Sequence, residues 1–185
     1  MRIVAGKLRG RPLNSPKDQS IRPTTDRNRE KLFNILTHRW AEQLNGNVLD
    51  MFAGTGALGL EALSRGANRC VFIEKGRQGA SLIQQHIDSF GLAECARLLR
   101  LDATRPGLVD DWGPFDLVFA DPPYGKQLAD KALAGLSANR WLAGGAVLVV
   151  EEKKGMLPRL NDEFELLDQR DSGDTSMGIF QYVTG

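Results

Sequence analysis

A chain of 185 residues with 42% hydrophobic and 25% charged residues is long enough for one globular domain with a substantial core. No apolar segment suited to export follows Met1 and no run is long enough to span a bilayer, so we expect a cytoplasmic protein. Its two cysteines and two histidines form no cluster, which argues against a disulfide framework or a metal site, and we expect Cys70 and Cys95 to be buried.

The net charge of +1 hides a basic N-terminal region. Residues 1–40 hold ten basic and three acidic residues, a net charge of +7, and the rest of the chain carries −6. A basic segment on a mildly acidic body suits a polyanionic partner, because lysine and arginine bound to phosphates release counterions. Taken alone, the charge is explained equally well by a solvated N-terminus.

Residues 1–45 are predicted to form an N-terminal extension. Glycines and prolines exclude long helices in residues 1–23 and favour a hairpin around residues 3–5 and 11–13. Residues 24–26 then offer a helix N-cap, and apolar side chains recur at helical spacing as far as Trp40. This helix can therefore dock by one face and present a basic one.

Strands and helices alternate in the remainder, residues 46–185. Strands are predicted at residues 47–52, 70–74, 96–101, 115–120 and 146–150, and helices at 58–65, 78–90 and 128–136. This order implies right-handed crossovers and a doubly wound, mostly parallel, Rossmann-like α/β sheet. Residues 164–170 and 177–183 flank a turn, so we expect them to add an antiparallel hairpin at the sheet edge.

A glycine-rich turn follows the first predicted strand. Gly54, Gly56 and Gly59 match the pattern G-x-G-x-x-G, and Glu74 lies 20 residues after Gly54 at the end of the next strand. Such a turn brings a helix N-terminus close to a ligand, and the carboxylate can accept hydrogen bonds from ribose hydroxyls. The match indicates an adenosine ligand, of which NAD is one candidate.

Three features weigh against NAD. Asp50 stands just before the turn, where its charge would repel a pyrophosphate and attract the ammonium of an amino acid. A basic extension precedes the first strand, which a nucleotide domain does not need. No histidine follows the turn near a strand end to assist hydride transfer, because His86 falls within a predicted helix. If the adenosine ligand is instead S-adenosylmethionine, its ammonium group would meet Asp50 and the turn.

Each of four predicted parallel strands has an acidic residue at or near its end. In open α/β sheets, ligands bind outside the carboxyl ends of the strands, so we expect these acids to rim one crevice. Glu74 would meet the ribose and Asp102 the adenine amino group, unless Asp102 is merely an exposed loop residue. The predicted cofactor-binding residues are Asp50, Phe52, Ala53, Gly54, Thr55, Gly56, Glu74, Lys75, Asp102, Ala103 and Asp121.

The segment Asp121-Pro122-Pro123-Tyr124 ends the fourth of these strands. The prolines hold Asp121 and Pro122 extended and leave their carbonyls free to accept hydrogen bonds. Bonds from a nucleobase amine to the Asp121 side chain and the Pro122 carbonyl would align the amine lone pair with a methyl donor, while Tyr124 stacks on the base. The candidate catalytic residues are Asp121, Pro122, Pro123 and Tyr124.

Residues 48–56 together with Asp121-Pro122-Pro123-Tyr124 resemble the class I S-adenosylmethionine-dependent amino-methyltransferases. Residues 3–10 and 22–27, with Gly173-Asp174-Thr175, are similar to the RsmD-type family of bacterial 16S ribosomal RNA guanine-N(2) methyltransferases, and the similarity extends over essentially the whole chain. The resemblance implies methylation of the N(2) amine of guanine 966 within the 30S subunit or a late assembly particle. We also expect a monomer that uses no metal.

The basic extension is predicted to bind the RNA. Its candidate RNA-binding residues are Lys7, Arg9, Arg11, Arg22, Thr24, Thr25 and Arg27. The Asp-Pro-Pro-Tyr motif is shared with adenine amino-methyltransferases that act on DNA or RNA, so that activity is the main alternative. An NAD oxidoreductase and a non-catalytic RNA-binding protein also remain open at this point.

Overall fold

The computed structural model describes residues 1–15, 26–123 and 128–183. Within these ranges the helices are α1 (Asp26–Arg39), α2 (Ala41–Asn45), α3 (Ala57–Arg65), α4 (Arg77–Phe90) and α5 (Leu128–Ala138). The strands are β1 (Asn47–Met51), β2 (Arg69–Ile73), β3 (Ala96–Leu99), β4 (Phe115–Ala120), β5 (Leu142–Lys153), β6 (Phe164–Ser172) and β7 (Thr175–Tyr182). No helix in the described ranges is long and apolar enough to cross a membrane.

Seven strands of the described chain form one sheet in the order β3-β2-β1-β4-β5-β7-β6. Neighbouring strands from β3 to β5 pair in parallel, while β7 pairs antiparallel with both β5 and β6. The predicted doubly wound, Rossmann-like α/β class with an antiparallel hairpin at its edge is therefore confirmed.

The strand order reverses between β1 and β4. Asp50 pairs with Phe119 and Met51 with Ala120 across this junction. The turn that follows β1 and the Asp121 segment that follows β4 therefore leave the same edge of the sheet side by side. In open α/β sheets this reversal point is where ligands bind.

Apolar side chains cover both faces of the sheet. On one face, Leu117, Phe119 and Val149 pack with buried residues of α1, α3 and α4. On the other, Val118 and Val150 pack with α5. Alternating strand residues thus pack against the helices on opposite faces of the sheet, which explains why the central strands are apolar throughout.

The N-terminal extension is fixed to α3. The predicted hairpin is present without regular strands: Arg2 forms an isolated antiparallel bridge with Pro12, and backbone hydrogen bonds flank it from Ile3 N–H to the Arg11 carbonyl and from Leu13 N–H to the Met1 carbonyl, both at 3.0 Å. The backbone N–H groups of Val4 and Ala5 donate to the buried carboxylate of Glu61, at 2.8 and 3.0 Å. Residues 1–15 therefore form an attached segment rather than a free tail, although the predicted boundary at residue 45 stays a prediction.

A buried ion pair joins α1 to the same helix. The Arg29 side chain is fully buried, and its Nε donates to Glu61 Oε2 at 3.4 Å while Nη2 donates to Asp26 Oδ1 at 2.9 Å. Arg29 Nη2 also donates to the Arg2 carbonyl. One of the ten N-terminal cations is therefore part of the interior and adds nothing to the basic surface.

Several elements differ from the predictions. Helix α2 was not predicted, because five residues are too few to show helical spacing. Strand β5 is longer than the predicted residues 146–150. Gly144 and Gly145 concealed its beginning in the sequence, and the charges of residues 151–153 concealed its pairing with β7. The prediction for Cys95 was wrong, because it is only half-buried, whereas Cys70 is buried. The proposed N-cap residues Thr24 and Thr25 lie outside the described residues.

Candidate active site

The glycine turn joins β1 to α3 through backbone conformations that favour glycine. Gly54 and Gly56 have φ angles of 57° and 78°, and Phe52 has a φ of 54°. Gly56 is the N-cap of α3 and has no side chain with which to cap the helix. A Cβ at Gly59 would lie 2.4 Å from the Phe72 ring, so this glycine lets α3 pack against β2.

Asp50 is buried beneath this turn. Its Oδ2 accepts the backbone N–H of Gly59 at 2.9 Å, a bond that the sequence pattern did not reveal. Burial raises the pKa of the Asp50 carboxyl well above its usual range, and the nearby charges of Asp121 and Glu74 raise it further. Asp50 thus holds the start of α3, and one of its oxygens is already committed there.

Glu74 ties the glycine turn to the end of β2. Its Oε2 accepts the Gly54 N–H at 2.7 Å and its Oε1 accepts the Gly76 N–H. Gly79 must be small at this place, because a Cβ there would lie 2.6 Å from the Gly54 carbonyl oxygen. The half-buried carboxylate keeps further lone pairs that can accept ligand hydroxyls.

Asp102 stands after β3 and faces Lys75. Asp102 Oδ2 lies 2.9 Å from Lys75 Nζ, and Oδ1 accepts the backbone N–H and hydroxyl of Thr104 at 3.0 and 2.7 Å. The Lys75 ammonium and the Thr104 donors hold the pKa of the Asp102 carboxyl well below its usual range. Asp102 is therefore an ionised acceptor at the rim of the crevice, with Ala103 buried beside it.

Asp121 and Pro122 leave the end of β4 beside the glycine turn. Asp121 is half-buried, Pro122 is buried and Pro123 is exposed. Tyr124, to which base stacking was assigned, lies outside the described residues. The structure therefore brings Asp50, Glu74, Asp102 and Asp121 to one edge of the sheet.

A cavity of about 270 Å³ opens next to Asp121. Its walls come from β4 and β5, from α1 and α3, and from the β6–β7 hairpin. The polar and charged wall residues are Asn28, Lys31, Asp121, Glu151, Arg170, Asp171, Ser172 and Thr175. Sequence reasoning missed the contributions of α1 and the hairpin, since only the fold brings these segments to Asp121.

The described candidates for RNA contact are all on the surface. Lys7, Arg9, Arg11 and Arg27 are exposed, and the Arg11 guanidinium lies 5.5 Å from the centre of the Phe90 ring. Arg22, Thr24 and Thr25 lie outside the described residues. Three of these exposed cations lie in residues 1–15, and Arg27 lies on α1. Helix α1 also forms a wall of the cavity.

His86 links the extension to the glycine turn. Its Nε2 accepts the Asn14 N–H at 2.9 Å, and its Nδ1 lies 3.2 Å from the Thr55 carbonyl oxygen. Because a carbonyl can only accept, Nδ1 carries the proton and the ring is neutral. Burial lowers the pKa of His86, in keeping with the neutral ring.

Comparison with known proteins shows which family model and which relatives the chain matches. Residues 1–181 match the family model described as "Conserved hypothetical protein 95". The chain is 35% identical over 183 residues to ribosomal RNA small subunit methyltransferase D of Escherichia coli K12, covering 98% of this chain and 89% of that protein. It is 34% identical to the protein of the same name from Haemophilus influenzae, covering 98% and 93% of the two chains.

A solved structure has the same fold over the whole chain. The protein named "Putative methyltransferase yhhF from Escherichia coli" superposes with a TM-score of 0.85 at 32% identity. The match covers 100% of this chain and 99% of that one. Likeness in sequence and in fold thus extends from the N-terminal extension to the edge hairpin.

Proposed function

We propose that this chain methylates the exocyclic N(2) amine of guanine 966 in 16S ribosomal RNA. The chain belongs to the family described as "Conserved hypothetical protein 95". Family and fold identify the chain as a methyltransferase of the ribosomal RNA small subunit methyltransferase D kind. Guanine and its position are the further step that we propose.

The observation that carries the proposal is the position of Asp121 between two spaces. On one side lies the glycine turn after β1, and on the other the cavity that Asp121 itself lines. A donor bound at the turn and a base bound in the cavity would meet at this carboxylate. The reaction needs such a meeting point, because methyl transfer requires the amine and the donor to be aligned.

The residues around the turn fit S-adenosylmethionine. When bound, this molecule supplies a methyl group on a positively charged sulfur. Glu74 can accept the ribose hydroxyls and Asp102 the adenine amino group, while the carboxylate of Asp50 favours an ammonium nearby. The other residues assigned to this site are Phe52, Ala53, Gly54, Thr55, Gly56, Lys75 and Ala103.

Asp121 and Pro122 act on the base. The lone pair of an exocyclic amine is delocalised into the ring, which makes the amine a weak nucleophile. Hydrogen bonds from the amine to the Asp121 carboxylate and the Pro122 carbonyl favour a localised lone pair directed at the methyl group. A nitrogen–carbon bond forms as the sulfur–carbon bond breaks, and the amine proton passes to Asp121 or water. These steps use no metal ion, and they leave S-adenosylhomocysteine.

The N-terminal extension supplies the binding of the polymer. Lys7, Arg9, Arg11 and Arg27 are exposed cations, and the extension is fixed to α3 by the Glu61 contacts. We assign these cations, with Arg22, Thr24 and Thr25, to RNA phosphates and treat residues 1–45 as the RNA-binding part of a monomer. Its substrate would be the 30S subunit or a late assembly particle in the cytoplasm.

Labelled methyl transfer to undermodified 30S subunits, followed by mass spectrometry of the ribosomal RNA, tests this function. We expect one N(2)-methylguanosine, at position 966. Label in adenine, or in duplex DNA instead of 30S subunits, would support the adenine alternative.

A further inference from the structure

The cavity beside Asp121 holds a second carboxylate, on the neighbouring strand. Glu151 follows Val150 on β5, and Val150 pairs with Ala120, the residue before Asp121. Glu151 remains in the sheet, where it pairs with Met177 of β7. Adjacent strands lie about 4.8 Å apart, so Glu151 stands next to the point at which Asp121 leaves β4. Both residues line the same cavity and both are half-buried.

Two ionised carboxylates offer only acceptors, which restricts the base that fits. On guanine, the N(2) amine and the N1–H are adjacent donors on one edge. On adenine, the atom beside the exocyclic amine on that edge is an unprotonated N1, an acceptor. With its amine at Asp121, adenine would therefore turn a lone pair toward the second carboxylate, which is unfavourable.

The cavity wall carries basic as well as acidic side chains. Lys31 of α1 and Arg170 of β6 line the cavity together with Asp171, and Arg170 also pairs with Asp168 at 3.1 Å. A carboxylate accepts hydrogen bonds and donates none. The wall is therefore suited to a planar edge that carries two donors.

We propose that Glu151 determines the specificity for guanine by accepting the N1–H of the target base while Asp121 holds its N(2) amine. This inference rests on the proposed function and adds a residue to it. The Asp-Pro-Pro-Tyr motif is compatible with either purine, and Glu151 distinguishes them through the protonation of N1.

2-Aminopurine separates the two contacts, because it keeps the amine at position 2 but has an unprotonated N1. Small subunits reconstituted with guanine or 2-aminopurine at the target position serve as substrates for labelled-methyl transfer. The enzymes compared are wild type, Glu151→Gln and, as a control with the same loss of charge, Glu42→Gln on the exposed surface of α2.

We expect the wild type to prefer guanine by about 10- to 100-fold in kcat/KM, the effect of one hydrogen bond to a charged group. Glu151→Gln lowers transfer to guanine and raises transfer to 2-aminopurine, because its amide can donate to the unprotonated N1. Glu42→Gln keeps the wild-type ratio. If thermal melting shows that Glu151→Gln does not fold, Glu151→Ala replaces it and must lower the preference for guanine without a gain on 2-aminopurine.

A wild-type ratio in the folded Glu151 variant would overturn the assignment of Glu151 and leave the proposed function standing. The absence of transfer by the wild type to the guanine substrate is a different result. It would overturn the proposed function, and with it this inference.

Discussion

His86 accepts the backbone N–H of Asn14 on Nε2 at 2.9 Å. The other ring nitrogen lies 3.2 Å from the carbonyl oxygen of Thr55, within the glycine turn. A single buried ring thus joins the end of the described N-terminal segment to the proposed cofactor turn, and two substitutions can separate its two bonds.

His86→Asn and His86→Gln are predicted to have different effects. The Asn amide nitrogen matches the position of Nδ1 and keeps a donor for Thr55, whereas the Gln amide reaches the position of Nε2 and keeps an acceptor for Asn14. One hydrogen bond is worth about 0.5–1.5 kcal/mol, so His86→Gln should weaken S-adenosylmethionine binding about 2- to 10-fold in calorimetry. His86→Asn should keep that affinity and weaken RNA binding instead. Equal effects of both variants on both ligands would show that His86 is only a packing residue.

The neutral state of His86 also predicts a dependence of stability on pH. The pKa of His86 is lowered from its ordinary value of 6.5. Below that pH the unfolded chain binds a proton that the folded chain does not, so stability decreases as pH falls. The difference in unfolding free energy between wild type and His86→Asn should therefore shrink from pH 7 to pH 5, by at most about 1.4 kcal/mol per pH unit. A constant difference in urea titrations across this range would contradict a neutral, buried His86.

Glu61→Ala is predicted to destabilise the protein strongly. The carboxylate of Glu61 is fully buried and accepts hydrogen bonds from Val4, Ala5, Arg29 and Arg65. Its removal leaves the buried Arg29 charge without this partner, and breaking such a pair costs about 3–5 kcal/mol. Chemical denaturation measures the loss, with Glu42→Ala on the exposed face of α2 as the control. A loss below about 1 kcal/mol would mean that the extension is not held by this network.

The exposed cations of the extension are predicted to set the salt dependence of RNA binding. Replacing Arg9 and Arg27 with alanine should lower the slope of log K against log salt by about 0.7–0.9 for each phosphate that is no longer neutralised. Lys131→Ala is the matched control, because α5 covers the opposite face of the sheet from α1. Binding measured by filter retention with an unchanged slope would identify the extension as a solvated surface.

The positions of the four acids could be predicted from sequence because one rule of topology is enough. Each lies at or just after the end of a parallel strand, and parallel strands present their carboxyl ends at one edge. The Asp50–Gly59 bond and the Glu61–Arg29 pair could not be predicted in the same way. They depend on which buried polar groups meet in space, and Glu61 lies 57 residues from Val4 along the chain.

The residues that line the cavity beside Asp121 were still harder to predict from the sequence. Asp121 was predicted as a catalytic residue from its motif, but Lys31, Glu151 and Arg170 carry no motif that relates them to it. Glu151 and Arg170 reach Asp121 because β5 pairs with β4 and the β6–β7 hairpin extends the sheet beyond β5. Lys31 reaches it because α1 packs on this face of the sheet. The part of the site that acts on the donor is therefore local in sequence, whereas the cavity proposed for the base is assembled from separated segments.

Asp121→Ala tests the central claim most directly. Wild type and variant are compared for labelled-methyl transfer to undermodified 30S subunits, with the modified nucleoside identified by mass spectrometry and S-adenosylmethionine affinity measured in parallel. We predict N(2)-methylguanosine with the wild type, and a decrease of at least about 100-fold in the variant, as is typical when an electrostatic catalytic interaction is removed. The variant should still bind S-adenosylmethionine. Transfer by Asp121→Ala at the wild-type rate, or a methylated adenine as the wild-type product, would contradict the account.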